Sequence, residues 1–473
     1  MEAQNPTTSM PYPRFSTTNI RRHIEARAHH KERSDDSKDT DLFSLSLPST
    51  AIYEQEPFEF FNVRVTQLCS AGFPNATFHI ERLRGGACNR ITAITFRPLP
   101  PKILSISWIR SFLINHEEYV AAQEPKNYIL RSRRKKPSSE KSGTEYDVPT
   151  LKFARIMLGD MVPDILCFDD SPCDAILLPY ILQTHLHGQN LFRIWNSLTF
   201  SQKKSAMYIV VGLMKQLQTI QYPKAGLIAA ANRLVHAPGR IALELHTFTT
   251  SRGPAPVLAR AANSPAVSMT TRQFLLDQSR RWRLLQRYGV HSNETIWNCF
   301  DIITQFLYDM NFIADDDKFY FCHPDLYARN LLVELEHDSS LSLTGLLDWD
   351  AQFAHFCPKF VAYCAPFWLL VSSGNEYNEM IVADKPKDAD YRRLKSLWEE
   401  AASDEWRQYA YKSEYTIARR MFALLRDSIH HDGDKEEARS IIDEWQKLYY
   451  EQRPAAAYAN DEIHTNDGDP AAG

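Results

Sequence analysis

Cys322-His323-Pro324-Asp325-Leu326-Tyr327-Ala328-Arg329-Asn330-Leu331-Leu332, followed by Gly345-Leu346-Leu347-Asp348-Trp349-Asp350, is the stretch that decides how this chain reads. The apolar run Phe319-Tyr320-Phe321 leads into a turn carrying Asp325, and Asn330 stands just before the strand-like Leu331-Leu332-Val333-Glu334-Leu335. The alternating Leu341-Ser342-Leu343-Thr344-Gly345-Leu346-Leu347 predicts the returning strand of a hairpin, whose end delivers Asp348 beside Asn330. A carboxylate and an amide oxygen are hard ligands, and with phosphates and water completing the shell they suit Mg²⁺.

Such a set matches the needs of phosphoryl transfer: an acceptor hydroxyl held in line, a group to take its proton, and cations to neutralise the transferred phosphate. Asp325 suits the base and orienter, Asn330 and Asp348 the metal ligands, and His323 an anchor of the catalytic loop. An H-P-D-L turn or a D-W-D strand end taken singly is equally an ordinary capped turn with solvated acids; the two in order, joined by a hairpin, favour the catalytic reading. The loop resembles the H-x-D-L-x-x-x-N segment of the protein kinases. Tyr327, however, stands where those enzymes usually carry a lysine, and Asp348-Trp349-Asp350 replaces D-F-G. Both departures resemble the aminoglycoside phosphotransferase and choline kinase-like family, which phosphorylates small molecules on a protein-kinase-like fold. The run on to Phe367-Trp368-Leu369-Leu370, with Pro358 and Pro366 between, is similar to the fungal phosphotransferase branch of that family, and the resemblance spans roughly residues 60–450.

The resemblance implies an α+β, bilobal protein-kinase-like fold with a mainly β N-terminal lobe (51–185) and a helical C-terminal lobe (186–453), binding ATP and Mg²⁺ between them and phosphorylating a small-molecule hydroxyl. In the first lobe, Phe78–Leu83 and Ile91–Phe96 read as a hairpin joined by Arg84-Gly85-Gly86-Ala87-Cys88-Asn89-Arg90. A glycine-containing turn lets backbone N–H groups approach phosphates, though most such turns are plain hairpins. The G-G-x-x-N-R form, with Gly85, Gly86 and Asn89, is similar to the family's glycine loop. Tyr128-Ile129-Leu130-Arg131 is the next strand, with Arg131 in place of the usual phosphate-bridging lysine. The helix over Asp147–Leu158, with Pro149 in its first turn, offers Asp147 or Glu145 as partner of Arg131, and Asp147 is equally suited to cap the helix. Ala175–Leu182 predicts the strand entering the hinge, after which backbone groups around Gln183, Thr184 and His185 would meet the adenine edge.

Elsewhere the chain sets bounds. Its 473 residues, 44% of them hydrophobic, suffice for two or three domains with substantial cores. A formal net charge of −4 gives no electrostatic reason to expect a nucleic-acid partner. The eight cysteines form no C-x-x-C pairs and read as reduced, packed thiols. No apolar run has the length of a membrane span and no secretory signal opens the chain, so the expectation is a cytoplasmic protein without a membrane partner. Residues 1–50 and 454–473 read as a disordered arm and tail. The run Arg131, Arg133, Arg134, Lys135 and Lys136 reads as a solvated basic loop rather than an import or anion-binding patch, Asp315-Asp316-Asp317 as a solvated turn, and 222–270 as an insertion of weak periodicity. Residues 200–219 form an apolar helix for the second lobe's core, and Trp368, Trp398, Trp406 and Trp445 are core aromatics. Asp350 reads either as an assistant to the metal or as an exposed acid. The rival from another class is a pseudokinase, a nucleotide-binding or interaction module without transfer, favoured by Arg131 and opposed by the intact Asp325, Asn330 and Asp348. A protein kinase is disfavoured by Tyr327 and by the lack of an A-P-E-like segment. The sequence specifies neither the acceptor nor an oligomeric state.

Overall fold

The computed structural model describes residues 56–83, 89–99, 124–134, 144–171, 175–233, 241–248, 264–286, 293–337, 339–351, 354–371, 379–430 and 432–452. The predicted arm and tail lie outside these residues, as do Gly85 and Gly86. The chain forms two compact units. The first takes the described residues up to Asn190 together with Leu331–Glu334 and Leu343–Asp350, and the second takes the rest.

The first unit is built on a five-stranded antiparallel sheet. Its strands are β1 (Ala76–Leu83), β2 (Asn89–Pro98), β3 (Lys126–Arg133), β4 (Ile165–Asp169) and β5 (Tyr180–Thr184), in the order β1-β2-β3-β5-β4. The predicted hairpin is present, with Ile80 opposite Ile94 and Leu83 opposite Ile91. Alternation puts Ile94, Phe96 and Leu130 on one face, where they pack with Tyr180 and Leu182. That face is covered by helix α1 (Phe58–Gly72), whose Phe61, Val65, Leu68 and Cys69 recur at helical spacing and are buried in the same cluster. Helix α2 (Thr144–Leu158) starts three residues before the expected Asp147, which moves Pro149 from the first turn into the helix. The added turn is held by polar contacts: Thr144 Oγ1 donates to Asp170, and Asp147 pairs with Arg133. The strand expected over Ala175–Leu182 begins only at Tyr180 and runs through Gln183 and Thr184, which pair with Ile129 and Tyr128 of β3. A second sheet, in the order β12-β11-β6, joins β6 (Gln189–Asn190), β11 (Leu331–His337) and β12 (Ser340–Leu346), so the hairpin read from the sequence forms.

The second unit is mainly helical. Helix α3 (Phe200–Gln218) opens on a capping box in which Thr199 Oγ1 accepts from Gln202 N–H and Gln202 Oε1 accepts from Thr199 N–H. Its stripe of Met207, Val210, Val211, Met214 and Leu217 is buried, each large apolar side chain contributing about 1.5–3 kcal/mol. Residues 222–270, expected as a poorly patterned insertion, contain a β-hairpin. There β8 (Leu227–Arg233) pairs with β9 (Ile241–His246), and short β7 (Gln221–Tyr222) joins a sheet with β10 (Phe319–Cys322) and β13 (His355–Cys357). The run Leu227-Ile228-Ala229-Ala230-Ala231 reads as featureless because alanine carries little strand signal and a register shift between Ile228 and Ala230 breaks the alternation. Trp398 and Trp406 are fully buried and meet edge to face at 5.7 Å, and Trp368 is buried as well. The cysteines described are all free thiols, and Cys69, Cys167, Cys322 and Cys357 are buried. Among the described residues no helix is long and apolar enough to cross a membrane. The architecture is the expected α+β class, a mainly β first unit followed by a mainly helical second one.

Two glycines in the second unit separate conformational need from mere occupancy. Gly226 has φ of +142° and exchanges both backbone hydrogen bonds with Phe356, and a Cβ there would overlap the His246 carbonyl. Gly212 lies exposed within α3, with open space where a Cβ would stand. Gly226→Ala should therefore destabilise the protein by at least about 2 kcal/mol. Gly212→Ala should stabilise it by up to about 1 kcal/mol. Thermal melts of the two variants check both, and equal midpoints would contradict the assignment.

Candidate functional site

In the second unit the site starts from β10, whose four residues are all buried and end the chain's approach at Cys322. His323 follows, also buried, and its carbonyl accepts the Leu326 N–H at 3.0 Å. The turn is closed by Tyr327 N–H to Asp325 O at 2.8 Å and by Asn330 N–H to Tyr327 O at 2.9 Å. From outside the turn, Trp368 Nε1 donates to Leu326 O at 2.8 Å. Asp325 and Asn330 are thereby brought together. Asn330 Nδ2 donates to the Asp325 carbonyl at 2.8 Å and to its Oδ2 at 2.7 Å. Arg329 donates to Asp325 Oδ1. Both bonds come from Nδ2, so the Asn330 Oδ1, a hard acceptor, takes part in neither.

In the first unit the decisive group is Asp348-Trp349-Asp350 at the end of β12. Trp349 is buried and donates to Leu346 O at 2.9 Å, which fixes the bend between the two acids. Asp348 has φ of +65°, a left-handed conformation that aspartate tolerates better than most residues. Its carboxylate lies 3.5 Å from Arg131, with its side chain one third exposed. Asp350 is buried and accepts from Arg131 and, at 3.1 Å, from Asn89 Nδ2. It is therefore neither the exposed acid nor the free assistant expected, but the principal partner of Arg131.

This corrects the expected pairing of Arg131 with Asp147 or Glu145. Arg131 and Arg133 point to the same face of β3, two residues apart. The helix start reaches only the second of them, and Asp147 binds Arg133 at 2.5 Å. Arg134 is likewise engaged, donating from Nε to Asn89 O at 3.2 Å, so this part of the basic run is structural and not a solvated loop. Arg131, Arg133, Asp147, Asp350, Asn89 and Thr144 line one small polar cavity. Burial disfavours the charge on Arg131, but Asp350, Asp348 and Asp147 outweigh it and raise the guanidinium pKa. Burial likewise works against the Asp350 carboxylate, yet Arg131 and Arg133, with the Arg131 and Asn89 hydrogen bonds, hold its pKa below the ordinary value. Of the three carboxylates around these guanidiniums, Asp348 is the least buried.

The expected adenine edge is narrower than the sequence suggested. Thr184 N–H donates to Asp164 O at 2.8 Å and His185 N–H to Asn127 O at 3.1 Å, so the sheet itself uses these two donors. Gln183 is buried within β5. Among the described residues no group of three or more His, Cys, Asp or Glu is arranged to hold a metal by itself. Asp348 and Asn330 fit Mg²⁺ by donor chemistry, since that ion is usually held by one or two protein oxygens plus substrate phosphates. Sequence reasoning missed the roles of Asp350, Arg133 and Arg329. The period-two spacing of Arg131 and Arg133 was the available signal for the second.

The model of the phosphotransferase enzyme family matches residues 113–352, just over half of the chain. Altered inheritance of mitochondria protein 9, mitochondrial, of Lachancea thermotolerans is 40% identical over 52 residues, which is 11% of this chain and only 8% of that protein's length. Among solved structures, aminoglycoside phosphotransferase APH(4)-Ia aligns with a TM-score of 0.42 at 13% identity, covering 83% of this chain and 100% of that one. A thermostable mutant of it, in ternary complex with AMP-PNP and hygromycin B, gives 0.40 at 13% identity over 81% and 97% of the two chains. The GDP complex of wild-type aminoglycoside 2'-phosphotransferase-IIIa gives 0.39 at 11% identity over 82% and 99%.

The buried ion pair makes a stability prediction. Asp350→Ala takes the nearest carboxylate from the buried Arg131, leaving Asp348 at 3.5 Å, and should cost up to about 3–5 kcal/mol, whereas Asp348→Asn, at a partly exposed position, should cost less than about 1 kcal/mol. Because the folded Asp350 pKa is depressed, its contribution is fully present above the unfolded-chain value of about 3.9 and is lost as pH falls through the folded one. Denaturant titrations of both variants at neutral and acidic pH test this: the gap between Asp350→Ala and wild type should shrink in acid.

Proposed function

Because this chain belongs to the phosphotransferase enzyme family, we propose that it moves the γ-phosphate of ATP, with Mg²⁺, to a hydroxyl of a small molecule. The observation that carries the reading is the Asp325–Asn330 pair: a nearly buried carboxylate whose orientation is set by the amide of the proposed metal ligand. Asp325 aligns the acceptor hydroxyl and takes its proton as the oxygen–phosphorus bond forms. The bond from phosphorus to the bridging oxygen breaks, and ADP leaves with that electron pair. Asn330 and Asp348 would hold Mg²⁺, which neutralises phosphate charge when bound. Arg131, braced by Asp350, to which Asn89 also donates, would face the phosphates. The first unit serves as the nucleotide-binding part and the second supplies the catalytic loop and acceptor pocket.

One observation favours a second reading, a pseudokinase that binds nucleotide or a partner without transfer. Arg131 is engaged by Asp350 and stands next to the proposed metal ligand Asp348, so phosphate must compete for it. Arginine also differs from lysine in shape and hydration at such a position.

Calorimetry of ATP binding with and without Mg²⁺, on wild type and Asp348→Ala, separates these ideas from no nucleotide function at all. Metal-dependent affinity in the wild type that the variant loses supports the site, and absence of binding by folded wild type rejects it. Once an acceptor is found, Asp325→Asn should lower kcat by about 10²–10⁴-fold while ATP affinity stays within a few-fold. Lost nucleotide affinity in that variant would refute the base assignment, and a folded, ATP-binding wild type that phosphorylates no hydroxyl compound would favour the pseudokinase.

A further inference from the structure

The sheet of the first unit carries a second group of arginines, on the face opposite Arg131. Directly opposed residues on neighbouring strands share a face, and the register sets Arg82 against Thr92, Arg90 against Ser132, and Ser132 against Tyr180. Arg131 precedes Ser132 by one residue and so points the other way. Helix α1 covers this face: the Arg90 guanidinium lies 4.5 Å from the centre of the Phe61 ring, and Arg64 donates to Ile176 O at 3.3 Å. Both arginines hold Glu56, which stands two residues before the helix. Arg64 pairs with its carboxylate, and Arg90 donates to its carbonyl at 2.7 Å while standing 3.8 Å from the carboxylate.

Burial works against the charge on Arg90; Glu56 favours it, the guanidiniums of Arg134, Arg82 and Arg64 each oppose it, and its pKa falls. The helix begins after Pro57, whose side chain accepts no bond, so the positive end of α1 and its first amides sit beside Glu56. Ser132 and Thr92, on the same face, are 1% and 0% exposed, and no described residue bonds either hydroxyl. A buried hydroxyl without a partner is costly, whereas one opposite a guanidinium is a ready donor to an oxyanion. A carboxylate offers two oxygens, which the two arginines take up. A phosphate offers at least three, enough to meet Arg64, Arg90 and Ser132 together.

We propose that this face, at the start of α1, is a binding site for a phosphate dianion, free or carried by a small molecule. Arg64 and Arg90 are its cations, Ser132 is a hydroxyl donor, and Glu56 is the resident carboxylate that phosphate displaces. The Glu56 side chain is 27% exposed against 15% for Arg64 and 13% for Arg90, so it is the member that can swing out into water. Phosphate bound here lies across the sheet from Arg131 and takes no part in the proposed transfer.

Calorimetry with inorganic phosphate, on the full chain, tests the site. Glu56→Gln removes the competing carboxylate and should tighten phosphate binding at least about fivefold over wild type. Added to Glu56→Gln, Arg90→Gln should weaken it at least about tenfold and Ser132→Ala about threefold. No saturable binding by folded Glu56→Gln, an affinity equal to that of wild type, or an affinity that Arg90→Gln or Ser132→Ala leaves unchanged overturns the assignment; phosphate held on the Arg131 face instead gives this unresponsive pattern. Should the Arg90→Gln variant fail to fold, Arg64→Gln decides: a loss of at least about tenfold supports the site, and unchanged affinity rejects it. Phenyl phosphate then separates the two sources. Tighter binding of the ester assigns the site to a phosphorylated small molecule, and tighter binding of inorganic phosphate assigns it to the free ion.

Discussion

The buried pair of Arg131 with Asp350 is the constraint on which the first unit's site depends. Burying an arginine and a carboxylate costs several kcal/mol per ion before their attraction and hydrogen bonds offset it. Such a pair persists only where the surrounding chain leaves it no freedom. Here Arg131 sits on the central strand β3, Asp350 follows the end of β12, and Asn89 at the start of β2 adds a second bond to Asp350. The burial of Trp349 forces the two acids of Asp348-Trp349-Asp350 into different surroundings, one closed and one half open. A repeat of identical residues therefore yields two chemistries. The closed carboxylate orients a cation, and the open one has capacity for another.

The second unit holds its carboxylate by an exposed arginine, a neutral amide and backbone bonds. Its loop from His323 to Asn330 is tied by three backbone bonds and one indole donor, which hold the buried Asp325 in place. Asn330, itself a proposed metal ligand, is joined to the base directly through its side-chain amide. That economy suits a carboxylate that must receive a proton: its partners fix its orientation while solvent still reaches Arg329 alongside it.

Much of this was legible along the chain. Strand alternation in Phe78–Leu83, Ile91–Phe96 and Leu341–Leu347, and the apolar stripe of residues 200–219, report elements directly because burial imposes a period of two or 3.6. The α1 stripe of Phe61, Val65, Leu68 and Cys69 carried the same kind of signal, but it lay ahead of the first recognised strand. What escaped reading were features that period does not encode: the alanine-rich β8, the extra turn before Pro149, and every pairing between charges far apart in sequence.

The sequence by itself determined the class of fold, the turn that carries Asp325 and Asn330, and the hairpin that ends in Asp348, because these depend on local spacing, turn chemistry and hydrophobic period. Only the tertiary structure decided that Arg131 pairs with Asp350, that Asp147 serves Arg133, and that Arg329 rests on Tyr327 at the base. A guanidinium takes whichever carboxylate the packing of strands brings within hydrogen-bond reach, and that choice is made by three-dimensional distance and desolvation, which no linear spacing records.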